Sequence, residues 1–200
     1  AGINFSLYFK LFTGNGKELT SNTEFKAYLG ILLTSIFIVT FANLEQYQSF
    51  FTSLRYSSFH VASIMSTTGF ATQNYLEWIP LAQIILFFLM FIGGSSGSTS
   101  GGVKVIRWVI LAKQATNESL KMLHPHGIFS IRLNGRAGRN DVVYNVSAFF
   151  FLYALLVLIT TVITTLGGSD ILTSFTASLS MVGNIGPGFG KVGPMDNFAQ

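Results

Sequence analysis

The chain of 200 residues has no cysteine, so neither a disulfide framework nor a thiolate metal site can form. It has three histidines, which leaves little for metal chemistry. Only 10% of its residues are charged, where soluble domains average about 25%. That deficit argues against an ordinary soluble globule. The net charge is +4, but the basic residues flank apolar runs and build no basic arm, so no nucleic-acid partner is expected. What the chain has instead is apolar: 50% of it is hydrophobic, with twenty phenylalanines and twenty glycines. Glycine is commoner in membrane helices than in soluble ones.

A helix rises about 1.5 Å per residue, so a bilayer core of about 30 Å takes roughly 20 apolar residues to cross. Two segments meet this length, 25–44 with "AYLGILLTSIFIVTFANL" and 142–166 with "VVYNVSAFFFLYALLVLITTVITTL". A third, "IPLAQIILFFLMFI" at 79–92, is too short, and "GGSSGSTSGG" follows it at 93–102. The apolar pattern then resumes in "VKVIRWVILAK". This reads as one broken membrane helix over 79–112. Irregular backbone at membrane depth must be buried in protein or line water. An aqueous linker between two interfacial segments is the alternative. A phosphate-binding loop is not, because Val103 separates Gly102 from Lys104 where the motif needs Gly-Lys-Ser/Thr.

The basic residues set the orientation. Lys10, Lys17, Lys26, Lys104, Arg107, Lys113, Lys121, Arg132, Arg136 and Arg139 fall in 1–26 and 103–141, while the other loops hold only Arg55 and Lys191. Residues 114–141 are therefore expected as a cytoplasmic loop. Residues 1–24 read as the end of an earlier helix and a cytoplasmic loop, and the chain as part of a longer polypeptide.

Between the first span and the broken helix lies "FFTSLRYSSFHVASIMSTTGFATQ". A stretch this short cannot cross the bilayer and return as two spans. It can dip in as a short helix, about 51–65, and climb out as extended chain past a turn at 66–70. The second span is followed by the same order: a short helix at about 171–182, then "GNIGPG" at 183–188. Setting Gly69 over Gly186, an offset of 117, also pairs Ser63 with Ser180; "SF" at 58–59 and 174–175 pairs at 116. Two copies of one unit are expected, with a one-residue slip. An inward-pointing helix brings its carbonyl end to mid-membrane, where it favours a cation. Glycine lets the following strand turn its carbonyls to a common axis. Thr67 and Thr68 add hydroxyls. With no carboxylate in either turn, a monovalent cation fits better than a divalent one.

"SSFHVASIMSTTGFAT", "LFFLMFIGGSSGSTSGGVKVIRW" and "MVGNIGPGFG" resemble the membrane subunits of bacterial Trk-type potassium uptake systems, the TrkH family, in the superfamily with the Ktr and plant HKT transporters. The resemblance covers nearly the whole chain. It implies an all-α membrane protein of membrane helix–re-entrant pore loop–membrane helix repeats around an ion path, with one broken helix. This chain would supply the third repeat and part of the fourth. The resemblance implies that Thr67, Thr68, Gly69, Asn184, Ile185 and Gly186 line a selectivity filter for K⁺. It also implies that Gly93, Gly94, Ser95, Ser96, Gly97, Ser98, Thr99, Ser100, Gly101 and Gly102 form an intramembrane gate. It further implies a homodimer in the bacterial inner membrane and a cytoplasmic nucleotide-binding ring of the TrkA type facing 103–141, with no cofactor in this chain. Pro187 after Gly186 departs from the simple filter pattern and is expected to stiffen the fourth strand.

Other readings are weaker. A Na⁺-coupled solute transporter with discontinuous helices is the main alternative. An intramembrane hydrolase would need Ser58 and His60 to meet, but residues two apart on a helix diverge. No enzyme is expected. His60 is expected to pack against helices. His124-Pro125-His126 lacks a third metal ligand. Trp78 and Trp108 are expected as interfacial belt residues, and Lys104 and Arg107 as side chains reaching the inner interface.

Overall fold

The structure is a computed structural model, and it describes residues 2–14, 16–124, 127, 129–134, 136, 137 and 140–195. His126 and Arg139, singled out above, lie outside the described residues. The described chain is helical: α1 Phe5–Phe12, α2 Lys17–Ser21, α3 Thr23–Ala42, α4 Leu44–Tyr47, α5 Phe50–Met65, α6 Pro80–Leu89, α7 Val105–Leu123, α8 Asn140–Leu166 and α9 Ile171–Gly183. A small antiparallel hairpin, β1 Arg132–Leu133 with β2 Arg136–Ala137, sits between α7 and α8.

Among the described residues, two helices are long and apolar enough to cross a membrane, Thr23–Ala42 and Asp141–Leu166. Both expose apolar side chains: Leu33 and Phe37 on α3, Phe151, Leu152, Val162 and Ile163 on α8. In water such faces would be costly; against lipid or further helices they are not. Helices α5 and α9 have 16 and 13 residues. They span about 24 and 20 Å at the helical rise, short of a crossing.

The two halves share one core. Val39, Val61, Met65, Trp78 and Leu86 cluster with Val157, Leu179, Ile185 and Phe189. Tyr75 donates its hydroxyl to Gly188 O at 2.6 Å, and its ring lies 5.3 Å from that of Phe189. The two ends of α3 meet different surroundings. At its start, Thr23 N–H donates to Asn134 Oδ1 of the hairpin at 2.8 Å. Beyond its far end, Gln46 reaches Glu77 O. The start of α3 and the hairpin thus share one side, as the charge bias requires.

Helix α1 is capped at its start by Asn4, which accepts from Ser6 N–H at 2.8 Å. Three expectations need correction. Helix α7 runs on to Leu123, not 112, because "QATNESLKML" is rich in good helix formers and adds the pairs Gln114–Glu118 and Glu118–Lys121. Trp78 is no belt residue: it is 3% exposed, donates to Tyr47 OH at 2.9 Å and lies 4.9 Å from the His60 ring. Lys104 and Arg107 do not simply reach outward. Lys104 folds back onto the carbonyls of Ser98 and Ser100, and the Arg107 guanidinium lies 3.6 Å from the Phe149 ring centroid.

Two glycine turns and a broken helix

Helix α5 ends at Met65 and the chain turns through Ser66–Phe70. Thr67 has φ 53° and Gly69 φ 77°. Helix α9 ends at Gly183, and here Asn184 has φ 53° and Gly186 φ 116°. The left-handed positions recur 117 residues apart. So do the hydrogen bonds. Thr68 N–H donates to Ser63 O at 2.9 Å, and Ile185 N–H to Ser180 O at 2.8 Å. Thr67 N–H donates to Ile64 O at 3.0 Å, and Asn184 N–H to Met181 O at 3.1 Å.

The serine at the same register in each helix ties down the outgoing strand. Ser63 Oγ donates to Phe70 O at 2.6 Å, and Ser180 Oγ to Gly186 O at 2.7 Å. These reaches differ by one residue, and the register shifts with them. Farther out, the His60 ring bonds Gln73 O at 3.1 Å, and Thr176 Oγ1 donates to Phe189 O at 3.0 Å, pairs related by 116. The slip between 117 and 116 is thus absorbed on either side of the turn. His60 is buried, with its other ring nitrogen 2.8 Å from Tyr56 O, so it holds the strand to the helix.

The turns lie against each other. A Cβ at Gly69 would overlap Ile185 O and come 3.2 Å from Pro187 Cδ. A Cβ at Gly186 would stand 3.4 Å from Gly69 Cα. Both glycines are required, by backbone angle at each and by close approach at Gly69. Thr68, Asn184 and Gly186 are exposed, whereas Ile185 turns its side chain into the core.

Residues 93–102 interrupt the third helix. Ile92 and Val103 run side by side as a parallel bridge, with Gly93 N–H donating to Val103 O at 2.9 Å and Val105 N–H to Gly94 O at 3.1 Å. Gly93, Gly94, Ser95 and Ser100 are buried; Gly97 and Thr99 are exposed. Ser100 Oγ accepts from Gly94 N–H at 2.8 Å and lies 2.9 Å from Ser98 Oγ. The backbone groups freed by the break thus find partners inside the protein.

This break touches both turns. Gly101 N–H donates to Thr67 Oγ1 at 2.7 Å. A Cβ on Gly101 would overlap Gly183 O at the carbonyl end of α9. Thr67 is β-branched and strained at positive φ; its bond to Gly101 is what that conformation provides. On its other side the break meets the start of the chain, with Ser95 N–H donating to Gly2 O at 2.7 Å and Phe5 N–H to Gly97 O at 3.1 Å. Glu24 closes the same side. Its Oε1 accepts from Ser96 N–H at 2.6 Å and Ile106 N–H at 3.2 Å, and its Oε2 from Ser96 Oγ at 2.7 Å.

The six residues expected at the ion path are therefore brought together, with the ten of the break beneath them. Sequence reasoning missed Glu24, Ser63, Ser180 and Thr176 as structural ties. The 117 spacing already paired Ser63 with Ser180. Glu24 carried only the signal of a lone carboxylate in the first turn of a span.

The family described as TrkH, cation transport protein, matches residues 25–200. This chain belongs to the TrkH family. It is 35% identical over 205 residues to the Trk system potassium uptake protein TrkH of Salmonella typhimurium, covering 100% of this chain and 42% of that protein. It is 34% identical to TrkI of Halomonas elongata, covering 98% of this chain and 40% of that one. The crystal structure of the potassium transporter TrkH from Vibrio parahaemolyticus superposes with a TM-score of 0.87 at 33% identity, covering 94% of this chain and 42% of that chain. This chain thus spans about two fifths of the length of its TrkH relatives. The fold is that of an all-α membrane protein, and the family is one of transporters rather than enzymes.

Proposed function

We propose that this chain forms part of a potassium uptake protein of the bacterial inner membrane, a multi-pass protein in which the two glycine turns line a shared K⁺ path and the break at 93–102 gates it. The apposition of Gly69 with Ile185 O and Gly186 carries this reading. Two short helices point their carbonyl ends toward one place, and the turns that follow leave Thr68, Asn184 and Gly186 exposed on the side where further repeats would stand. Thr67, Thr68, Gly69, Asn184, Ile185 and Gly186 supply the oxygen-bearing backbone of the filter. A ring of backbone carbonyls replaces the hydration shell of a dehydrated monovalent cation.

Residues 93–102 lie against both turns, which supports a gating role for this segment. A homodimer and a cytoplasmic nucleotide-binding ring of the TrkA type on 103–141 complete the assembly. The names of the relatives favour K⁺ over the organic solute of the alternative transporter reading.

Rb⁺ flux into vesicles bearing the full-length protein tests both parts. Gly69→Ser is expected to reduce uptake or relax the preference for K⁺ over Na⁺; unchanged uptake together with unchanged flux ratios would remove the filter assignment. Shortening 94–100 is expected to raise basal flux. A fall or no change in a folded protein would remove the gate assignment.

A further inference from the structure

The break is held from two sides, and the side away from the turns is held by a buried carboxylate beside the backbone bonds to Gly2 and Phe5. Glu24 is 6% exposed. Its three donors are Ser96 N–H, Ser96 Oγ–H and Ile106 N–H. It therefore bridges the tip of the break to the first turn of α7, where free helical N–H groups favour an anion. A carboxylate taken out of water is stable only while its donors are in place. Moving Ser96 away strips Glu24 of two of them, so the break cannot shift unless the carboxylate is rehydrated or re-bonded.

The residue before Glu24 is fastened to the cytoplasmic hairpin. Thr23 N–H donates to Asn134 Oδ1 at 2.8 Å, and Asn134 N–H to Thr23 Oγ1 at 3.4 Å. Lys113 of α7 donates to Arg132 O at 2.5 Å, which ties the hairpin to the second half of the broken helix as well. Asn134 sits at the hairpin tip with φ 50°. An unbroken series of bonds thus runs from the cytoplasmic hairpin through Thr23 and Glu24 to Ser96.

We propose that Glu24 is the positioning residue that holds the 93–102 break in place, and that the 132–137 hairpin acts on the break through Thr23. This rests on the reading of the break as a gate and names how that gate is controlled. A partner that displaces the hairpin moves the start of α3, and with it the carboxylate that holds Ser96.

The test uses the full-length protein in vesicles, with basal Rb⁺ flux, the Rb⁺/Na⁺ flux ratio and the rate at which a thiol reagent modifies Ser98→Cys as readouts. Glu24→Ala is expected to raise basal flux and the modification rate by about tenfold, the scale of a charge-assisted hydrogen bond, with the flux ratio unchanged. A merely structural role would lower flux and leave the ratio of open to closed protein unmoved. Glu24→Gln keeps one oxygen acceptor and is expected to fall between Glu24→Ala and the natural protein. Asn134→Ala is expected to shift both rates the same way by less, and to add nothing on top of Glu24→Ala. Where Glu24→Ala does not fold, Ser96→Ala removes one of the carboxylate's three bonds, with a smaller rise in both rates expected.

If shortening 94–100 raises flux while Glu24→Ala and Ser96→Ala leave flux and modification unchanged, the positioning role is overturned and the gate stands. If the shortening itself has no effect, the gate reading falls first. Additive effects of Asn134→Ala and Glu24→Ala would overturn the link to the hairpin.

Discussion

The turn at Ser66–Phe70 and the turn at Gly183–Gly188 have the same backbone and almost no side chains in common. Both place a non-glycine residue at φ 53° and a glycine two positions later at positive φ. Both hang on a serine near the helix end, Ser63 two residues before it and Ser180 three. Yet Thr67 is bonded to the break through its hydroxyl, while Asn184 comes near enough to Gly101 that a Cβ added there would stand 3.0 Å from its own. Thr68 is exposed where Ile185 is buried. The lesson is that the repeated element is a hydrogen-bond pattern, and that side chains are free to differ wherever they do not serve it. The difference also divides labour: the first turn is latched to the break, and the second is latched mainly to itself.

The largest effect that would sharpen this comparison is at the glycines. Gly69→Ser meets both a left-handed backbone penalty of about 1–2 kcal/mol and an overlap with Ile185 O, so Rb⁺ uptake is expected to fall by about tenfold or more. Gly186→Ser meets the backbone penalty but only ordinary contact with Gly69, so a smaller loss is expected. Equal losses would break the asymmetry.

Next in size is Thr67→Val, which keeps shape and removes the acceptor for Gly101 N–H. Leaving that donor unpaired costs about 1–3 kcal/mol, so basal flux is expected to rise by about fivefold or more. Asn184→Ala loses no such bond, only the left-handed preference of Asn at φ 53°, so a smaller rise is expected. Equal rises, or none in either, contradict the division drawn above.

Thermal unfolding of the purified protein reads the serines. Ser180 Oγ donates to Gly186 O and accepts from Gly186 N–H at 3.0 Å, whereas Ser63 Oγ makes one bond to its strand. At about 1 kcal/mol per bond, Ser180→Ala is expected to lower the melting temperature more than Ser63→Ala.

The smallest effect is at the helix starts. Asp170 caps α9, accepting from Thr173 N–H at 3.1 Å, while Ser49 before α5 makes no capping bond. The bonds from Thr173 hold the Asp170 carboxyl below its usual range. A depressed folded pKa contributes stability that is complete above the ordinary aspartate range and is lost as pH falls through the folded value. Asp170→Asn is therefore expected to flatten the acid limb of stability against pH, and Ser49→Ala to leave it unchanged. An identical acid limb in Asp170→Asn would remove the cap from the account.

Much of this was legible in order and composition, and some was not. Membrane length, the Gly/Ser interruption and the 117-residue offset all follow from apolar run lengths and small-residue placement, which the bilayer constrains directly. The break at 93–102 was visible because no lipid-facing helix tolerates ten such residues. The end of α7 was missed because a polar run after a span looks like a loop, while helix propensity carries the helix eleven residues farther. Trp78 was misread because an aromatic near a span end is equally at home in a belt or in a core, and only the contact with Tyr47 and His60 decides. Glu24 was overlooked because its three donors come from residues 72 and 82 positions away in the chain. Such long-range pairing leaves no mark in local sequence.

The most direct measurement is a map of the full-length protein in Rb⁺, with the ion located by its anomalous scattering. The account predicts density flanked by the carbonyls of residues 67–69 on one side and 184–186 on the other. Ion density elsewhere, with the two turns turned away from it, would contradict a shared path.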